Sequence, residues 1–207
     1  MDNWHLFSTG QRFVKRTFDL VSAGTVLLLT SPLLLAGMLV VKLSSAGPVF
    51  FLQTRVGRYG REFSIFKFRT MRQEAGSSIT IGYDKRITWA GRLLRLSKLD
   101  ELPQLVNVIR GEMSVVGPRP EVPQYVAMWD GEQRLVLSLR PGMTDRAALK
   151  YRHESELLAE SEDPEQTYIQ EIMPDKLQLN LEYLQKQGFW YDIGLIFRTL
   201  ARLFSSS

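Results

Sequence analysis

From residue 20 to residue 41 the chain reads LVSAGTVLLLTSPLLLAGMLVV, without one charged side chain. A helix of that length reaches about 33 Å, enough to cross the hydrocarbon core of a bilayer. Thr30-Ser31-Pro32 sits in its middle. Proline removes a helical hydrogen bond and crowds the preceding turn, so the sequence predicts a helix break at Ser31 and Pro32. The serine hydroxyl is available to a carbonyl freed there. Arg12, Lys15 and Arg16 precede the run, and Lys42, Arg55, Arg58 and Arg61 follow it. Positive charge marks the cytoplasmic side, and here both ends carry it. A re-entrant helix, entering and leaving one leaflet, fits that symmetry; a straight transmembrane anchor fits the length equally well. Ser44-Ser45-Ala46 offers the small residues of a signal-peptide site, but the apolar run is long for one.

Gly47-Pro48 then breaks the chain, dividing a membrane-embedded segment, residues 1–46, from a compact cytoplasmic domain, residues 47–207. VFFLQTRVG and EFSIFKFRTM, aromatic and β-branched, flank Arg58-Tyr59-Gly60-Arg61 and read as a β-hairpin. Residues 76–82 are Ser/Thr-rich and read as a loop. Helical spacing of apolar residues follows over 87–96 and from Asp100 through Ile109, with Pro103 in the first turn and Gly111 as the stop. Residues 121–139 and 174–187 also read as helices. The last segment, 189–204, places Ile193, Ile196, Phe197, Leu200, Leu203 and Phe204 on one stripe beside Arg198 and Arg202. That pattern suits a helix lying in the membrane interface and equally a core helix. The predicted class is α+β, mainly helical.

Composition removes several chemistries. The absence of cysteine excludes disulfides, thiolate metal sites and cysteine nucleophiles, and two histidines supply neither a histidine metal cluster nor a well-founded Ser-His-Asp triad. Residues 55–98 carry eleven Lys/Arg against Glu62, Glu74 and Asp84, a balance that suits phosphate or anionic lipid. The acidic stretch from 154 to 182 reads as a solvated helix surface.

Asp100-Glu101 stands out at a predicted helix start. Alone, such a pair is a cap favoured by the helix dipole. Its setting differs from that of a simple cap. Lys67 and Arg69 interrupt an apolar strand and alternate onto one face. Arg119 is clamped between two prolines, and Arg95 ends a short helix. Cations held rigidly around two carboxylates describe a site for a pyrophosphate and Mg²⁺, because an anionic nucleophile reaches an anionic phosphate only when charge is neutralised.

The pieces FVKRTFDL, Ser31-Pro32, GPVFFLQTRVGRYGREFSIFKFRTM, LLRLSKLDELPQLVNVIRGEMSVVGPRPE and RPGMT, in this order over most of residues 13–144, resemble the monotopic phosphoglycosyl transferases, the bacterial sugar transferase family. The resemblance implies that Asp100 attacks the β-phosphate of a UDP-sugar, that UMP leaves, and that a polyprenyl (undecaprenyl) phosphate then takes the phosphosugar from the aspartyl adduct. It implies that Glu101 holds Mg²⁺, that Lys67, Arg95 and Arg119 contact phosphate, and that Ser31-Pro32 breaks a re-entrant helix. It also implies the cytoplasmic face of the bacterial inner membrane and the first membrane step of a surface-glycan pathway. After Thr144 the chain departs from the family pattern of Gly, an aromatic residue, Ala and Gln, reading Asp145-Arg146-Ala147-Ala148 instead. A basic membrane-anchored module for nucleic acid or anionic lipid would explain the Lys/Arg excess but not Asp100-Glu101, so no nucleic-acid partner is expected. A nucleotide-sugar hydrolase would use the same metal site and release free sugar-1-phosphate. Sugar, pathway and oligomeric state are not legible in the residues.

Overall fold

The computed structural model describes residues 9–72 and 84–204. The loop read over 76–82 lies outside the described residues. The first element, α1 (Thr9–Ser44), runs through Ser31-Pro32 as one helix, where the sequence predicts a break. The reason is local. Pro32 offers no N–H to the carbonyl of Leu28, and Ser31 Oγ donates to that same carbonyl at 2.7 Å. Thr30 Oγ1 does likewise for Val26 at 2.7 Å.

One stripe of α1 is covered: Asp19, Ala23, Gly37 and Val41 are buried, with half-buried Leu27, Thr30 and Leu34 between them. That spacing of three and four residues is the face of a helix laid along a surface. Ala23 and Leu27 join a core with Ile65, Leu105, Val108 and Met113, while Val41 joins another with Phe68 and Leu94. Both halves of α1 thus pack on the chain that follows. The opposite face leaves Leu28, Leu29, Leu35, Leu39 and Leu43 exposed.

The hairpin β1 (Phe50–Val56) and β2 (Glu62–Phe68) pairs antiparallel, with Phe51 opposite Lys67. Positive φ at Tyr59 and Gly60 closes its turn. Then come α2 (Trp89–Leu96), a 3₁₀ turn (Leu99–Gln104) and α3 (Leu105–Arg110), ended by Gly111 in the left-handed region. The α-helix read from Asp100 therefore begins at Leu105, and Asp100-Glu101 sit in the tighter turn before it. Asn107 ties α3 to β2: its Nδ2 donates to Ser64 O at 2.8 Å and its Oδ1 accepts from Phe66 N at 3.1 Å.

β3 (Ser114–Val116) and β4 (Gly142–Thr144) form a two-stranded parallel sheet too short to read from sequence. The backbones at Gly117 and Gly142 approach so closely that a Cβ on Gly142 would stand 2.1 Å from the Gly117 nitrogen. Residues 121–139 are not one helix but α4 (Pro123–Val126) and a 3₁₀ turn (Gln133–Ser138). Asp130 and Gln133 cap each other's backbone N–H across Gly131, at 2.8 and 3.1 Å, which starts a new element there.

The chain continues with α5 (Arg146–Lys150), α6 (Glu154–Ala159), α7 (Pro164–Thr167), a π turn (Tyr168–Ile172), α8 (Met173–Lys186) and α9 (Phe189–Phe204). One side of α9 buries Leu195 against Tyr183 and Leu184, while Trp190, Phe197 and Leu200 stay exposed. The side chains of Leu203 and Phe204 lie outside the described residues.

Candidate active site

Lys98 adopts positive φ (56°), a costly conformation for a side-chain-bearing residue, and turns the chain into the 3₁₀ segment that carries both carboxylates. Glu101 is gripped from two elements. Lys67 Nζ from β2 donates to its Oε1 at 3.0 Å, and Arg119 from the loop after β3 donates Nη1 to Oε2 at 3.2 Å and Nη2 to Oε1. Burial alone would favour the neutral acid, but Arg119 and Lys67 overcome it and hold the Glu101 carboxyl well below the usual carboxylate range.

Asp100 is set differently. It is 9% exposed, and its Oδ1 is buried with no hydrogen-bond partner. Burial, then the neighbouring Glu101 charge, pushes its carboxyl up, against the pull of Lys67, Arg95 and Lys98. The two adjacent acids therefore differ in kind: one is a fixed, paired anion and the other an unpaired, poorly solvated oxygen. A poorly solvated carboxylate has less hydration to lose when it attacks.

The loop bearing Arg119 is held at every residue. Gly142 N donates to Pro118 O (2.9 Å), Arg119 N to Asp145 Oδ2 (2.9 Å), Arg55 Nη1 to Pro120 O (3.1 Å) and Val56 N to Glu121 O (2.8 Å). Arg95 is aimed by Thr70, whose Oγ1 accepts from its Nε at 2.9 Å, and its charge acts on Asp100.

Lys67, Arg119 and Glu101 are thus brought together directly, with Asp100 and Arg95 beside them. Arg69 is not part of this group. β2 ends at Phe68, and the Arg69 side chain, 3% exposed, sends Nη2 to the carbonyl and hydroxyl of Ser45 at 2.7 and 3.0 Å. It clamps the exit of α1, although the backbone pairing runs on through Arg69 N, which donates to Val49 O at 2.9 Å.

Glu101 and Arg119 open onto a cleft of about 740 Å³ that extends from Phe18, Ser22 and Val26 of α1 to Lys176 and Asn180 of α8. Sequence reasoning missed much of its wall. Arg55 pairs with Glu121 Oε1 at 3.2 Å, and Tyr168 donates its hydroxyl to Glu121 Oε2. Asp145, fully buried, caps α5 through Ala148 N (2.5 Å) as well as holding Arg119. The signal for Asp145 was its departure from the family pattern right after RPGMT. Glu121 closes the GPRPE motif, but Tyr168 is remote in sequence and carried none.

Among the described residues no three His, Cys, Asp or Glu side chains gather into a metal site. The donors at Asp100 and Glu101 nevertheless suit Mg²⁺, which binds through one or two carboxylates and fills its remaining positions with phosphate and water. The unpartnered Asp100 Oδ1 is an open hard-oxygen donor of that kind.

Known proteins resemble the chain over most of its length. A UDP-N-acetylgalactosamine-undecaprenyl-phosphate N-acetylgalactosaminephosphotransferase of Aeromonas hydrophila is 35% identical over 194 residues, 91% of this chain and 43% of that protein. A UDP-glucose:undecaprenyl-phosphate glucose-1-phosphate transferase of Escherichia coli is 37% identical over 201 residues, 93% of this chain and 40% of its own length. A protein of the same name from Caulobacter vibrioides is 35% identical over 207 residues, 93% of this chain and 70% of its own length. The chain thus spans about two fifths of the first two relatives. The family model for bacterial sugar transferases matches residues 10–206, taking in α1, the carboxylate turn, the Arg119 loop and α9 alike, and the chain belongs to that family.

Proposed function

We propose that the protein is a phosphoglycosyl transferase that moves a sugar-1-phosphate from a UDP-sugar to polyprenyl phosphate. The observation that carries this reading is the contrast at residues 100 and 101: an unpaired, buried Asp100 oxygen beside a Glu101 locked by Lys67 and Arg119. Asp100 attacks the β-phosphorus, the bond to the bridging oxygen breaks, and UMP leaves with that electron pair. An oxygen of polyprenyl phosphate then attacks the same phosphorus. The aspartyl–phosphorus bond breaks, and Asp100 returns as a carboxylate with polyprenyl-diphosphate sugar as product. The covalent intermediate lets one site serve a soluble and a membrane-held substrate in turn. Lys67, Arg95 and Arg119 lower the repulsion between nucleophile and phosphate. Glu101 would hold Mg²⁺, and the ion would supply further neutralisation of the pyrophosphate.

The packing of α1 supports a monotopic membrane arrangement. Its two halves pack on α3 and on β2 and α2, while the outward face is apolar. A helix crossing the bilayer would have to leave those contacts, so both of its ends lie on the cytoplasmic side of the inner membrane and its outer face lies in lipid. The cleft reaches α1 at Phe18, Ser22 and Val26, which suits an acceptor arriving from the bilayer. The relatives' names support the donor and acceptor classes.

The test is UMP release from a panel of UDP-sugars with undecaprenyl phosphate in detergent or nanodiscs. Expected are release dependent on the lipid, ping-pong kinetics, and protein-bound label from β-³²P UDP-sugar without lipid. Release of free sugar-1-phosphate with or without lipid would instead make it a hydrolase.

A further inference from the structure

The cleft changes character along its length. Around Glu101 and Arg119 it is charged. At the far end, Met173, Lys176, Leu177 and Asn180 of α8 face it at helical spacing. The charges at that end are already matched: Lys176 Nζ donates to Glu154 Oε2 at 2.5 Å, and Glu121 is taken by Arg55 and Tyr168.

Two polar atoms of the cleft lining are not matched. Asn180 Oδ1 and Trp129 Nε1 are buried without partners, in residues 7% and 8% exposed that both line the cleft. An unpaired buried polar atom costs about 1–3 kcal/mol. Position 180 lies on α8 among buried Leu177, Leu181 and Leu184, where a leucine would carry no such cost. One acceptor and one donor left open call for a neutral group that both donates and accepts. A phosphate only accepts, and the Asn180 oxygen would repel it.

Two parts of a nucleotide sugar are neutral with mixed hydrogen bonding: the sugar ring and the uracil. A base is commonly held by stacking. The tyrosine rings of the lining are already engaged, with Lys176 Nζ 5.0 Å from the Tyr168 centroid and 5.7 Å from that of Tyr151, Lys150 Nζ 5.4 Å from the latter, and Tyr125 packed on Tyr168 at 4.9 Å. The sugar ring, with hydroxyls that donate and accept, is the better occupant. The relatives, moreover, are named for different sugars, glucose and N-acetylgalactosamine.

We propose that Asn180, together with Trp129, contacts the sugar ring of the nucleotide-sugar donor and determines which sugar the protein accepts. This rests on the reading that the cleft takes a UDP-sugar.

The experiment is Asn180→Leu, with Asn180→Ala as a second variant should leucine not fit. Binding of UDP-glucose, UDP-N-acetylgalactosamine and plain UDP is measured by calorimetry, and Tm without ligand by scanning fluorimetry. Expected are a Tm for Asn180→Leu at or above the parent's, at least tenfold weaker binding of the preferred UDP-sugar, and UDP binding within twofold of the parent. Discrimination between the two sugars should narrow. Unchanged UDP-sugar binding, with the parent binding normally, overturns the contact alone. UDP weakened as much as the UDP-sugar overturns the sugar assignment and places the contact on the nucleotide. A parent protein that binds neither UDP-sugar nor UDP overturns the donor reading itself.

Discussion

The backbone N–H of Arg119 donates to Asp145 Oδ2 at 2.9 Å, so the direction of the arginine is set by a fully buried acid that also caps α5. Removing Asp145 orphans the Arg119 N–H and uncaps the helix together. Asp145→Ala should lower stability by about 1 kcal/mol or more through the lost cap and should lower kcat/KM at least tenfold through a displaced Arg119. Asp145→Asn keeps one acceptor oxygen and should fall between. Denaturant melts and steady-state kinetics on the two variants check this; an alanine variant less stable but fully active would confine Asp145 to the fold.

Asp100→Asn should abolish turnover and yet raise stability at neutral pH. Burial pushes the Asp100 carboxyl up, so its ionised form is disfavoured in the folded state relative to the unfolded one. That cost is present when the carboxylate is charged and disappears once both states are protonated. The melting advantage of the asparagine variant should therefore be largest near pH 7 and shrink as pH falls towards 4. Activity of the parent needs the ionised form, so it should be lost on acidification at a pH above the usual aspartate value. A destabilised asparagine variant would mean that the Asp100 charge is paired after all.

Arg119→Lys keeps a positive charge but loses the planar fork that meets both oxygens of Glu101. Its kcat/KM should drop at least tenfold, and that of Arg119→Ala about a hundredfold. Glu101→Gln should be as impaired as the alanine variant, and EDTA should stop the parent reaction. Full activity in metal-free buffer would remove Mg²⁺ from the proposal.

The hairpin, α2, α8 and α9 were legible because each is a run of one periodicity bounded by glycine, proline or a charge change. Residues 121–139 were not, since Asp130 and Gln133 cap across Gly131 and start a new element there. At Ser31-Pro32 the helix assignment is continuous, and the neighbouring hydroxyl satisfies the carbonyl that proline abandons, as the sequence suggests. At the site, Lys67, Glu101 and Arg119 meet as their motifs suggest. Arg69 continues the strand pairing through its N–H to Val49 O, but its side chain is taken by Ser45, a contact that strand alternation does not record. Tyr168 was hidden for a different reason: its role depends on a contact 47 residues away, which no local pattern records.

The membrane arrangement gives the last prediction. The chain contains no cysteine, so single cysteines report cleanly. Gly10, before the covered stripe of α1, and Gly131, in the turn between α4 and the following 3₁₀ segment, are both exposed, with nothing within 4 Å of an added Cβ. Ala23 and Val41 are both fully buried, and in the monotopic arrangement proposed above the two ends of α1 stay on one side of the membrane. Neither Gly10→Cys nor Gly131→Cys should react with an impermeant maleimide in intact cells, and both should react once the membrane is permeabilised. A spanning α1 would instead place Gly10 in the periplasm, with Arg12, Lys15 and Arg16, against the tendency of basic residues to stay inside. It would also remove Lys15 from Asp192, to which it donates at 2.5 Å, and Arg16 from the carbonyl of Val108 at 2.6 Å. Labelling of Gly10→Cys in intact cells with Gly131→Cys protected would establish that crossing and sink the monotopic arrangement. Replacing Ser31 and Pro32 with Ala and Leu leaves these anchoring contacts untouched, so the double variant should keep the parent labelling pattern.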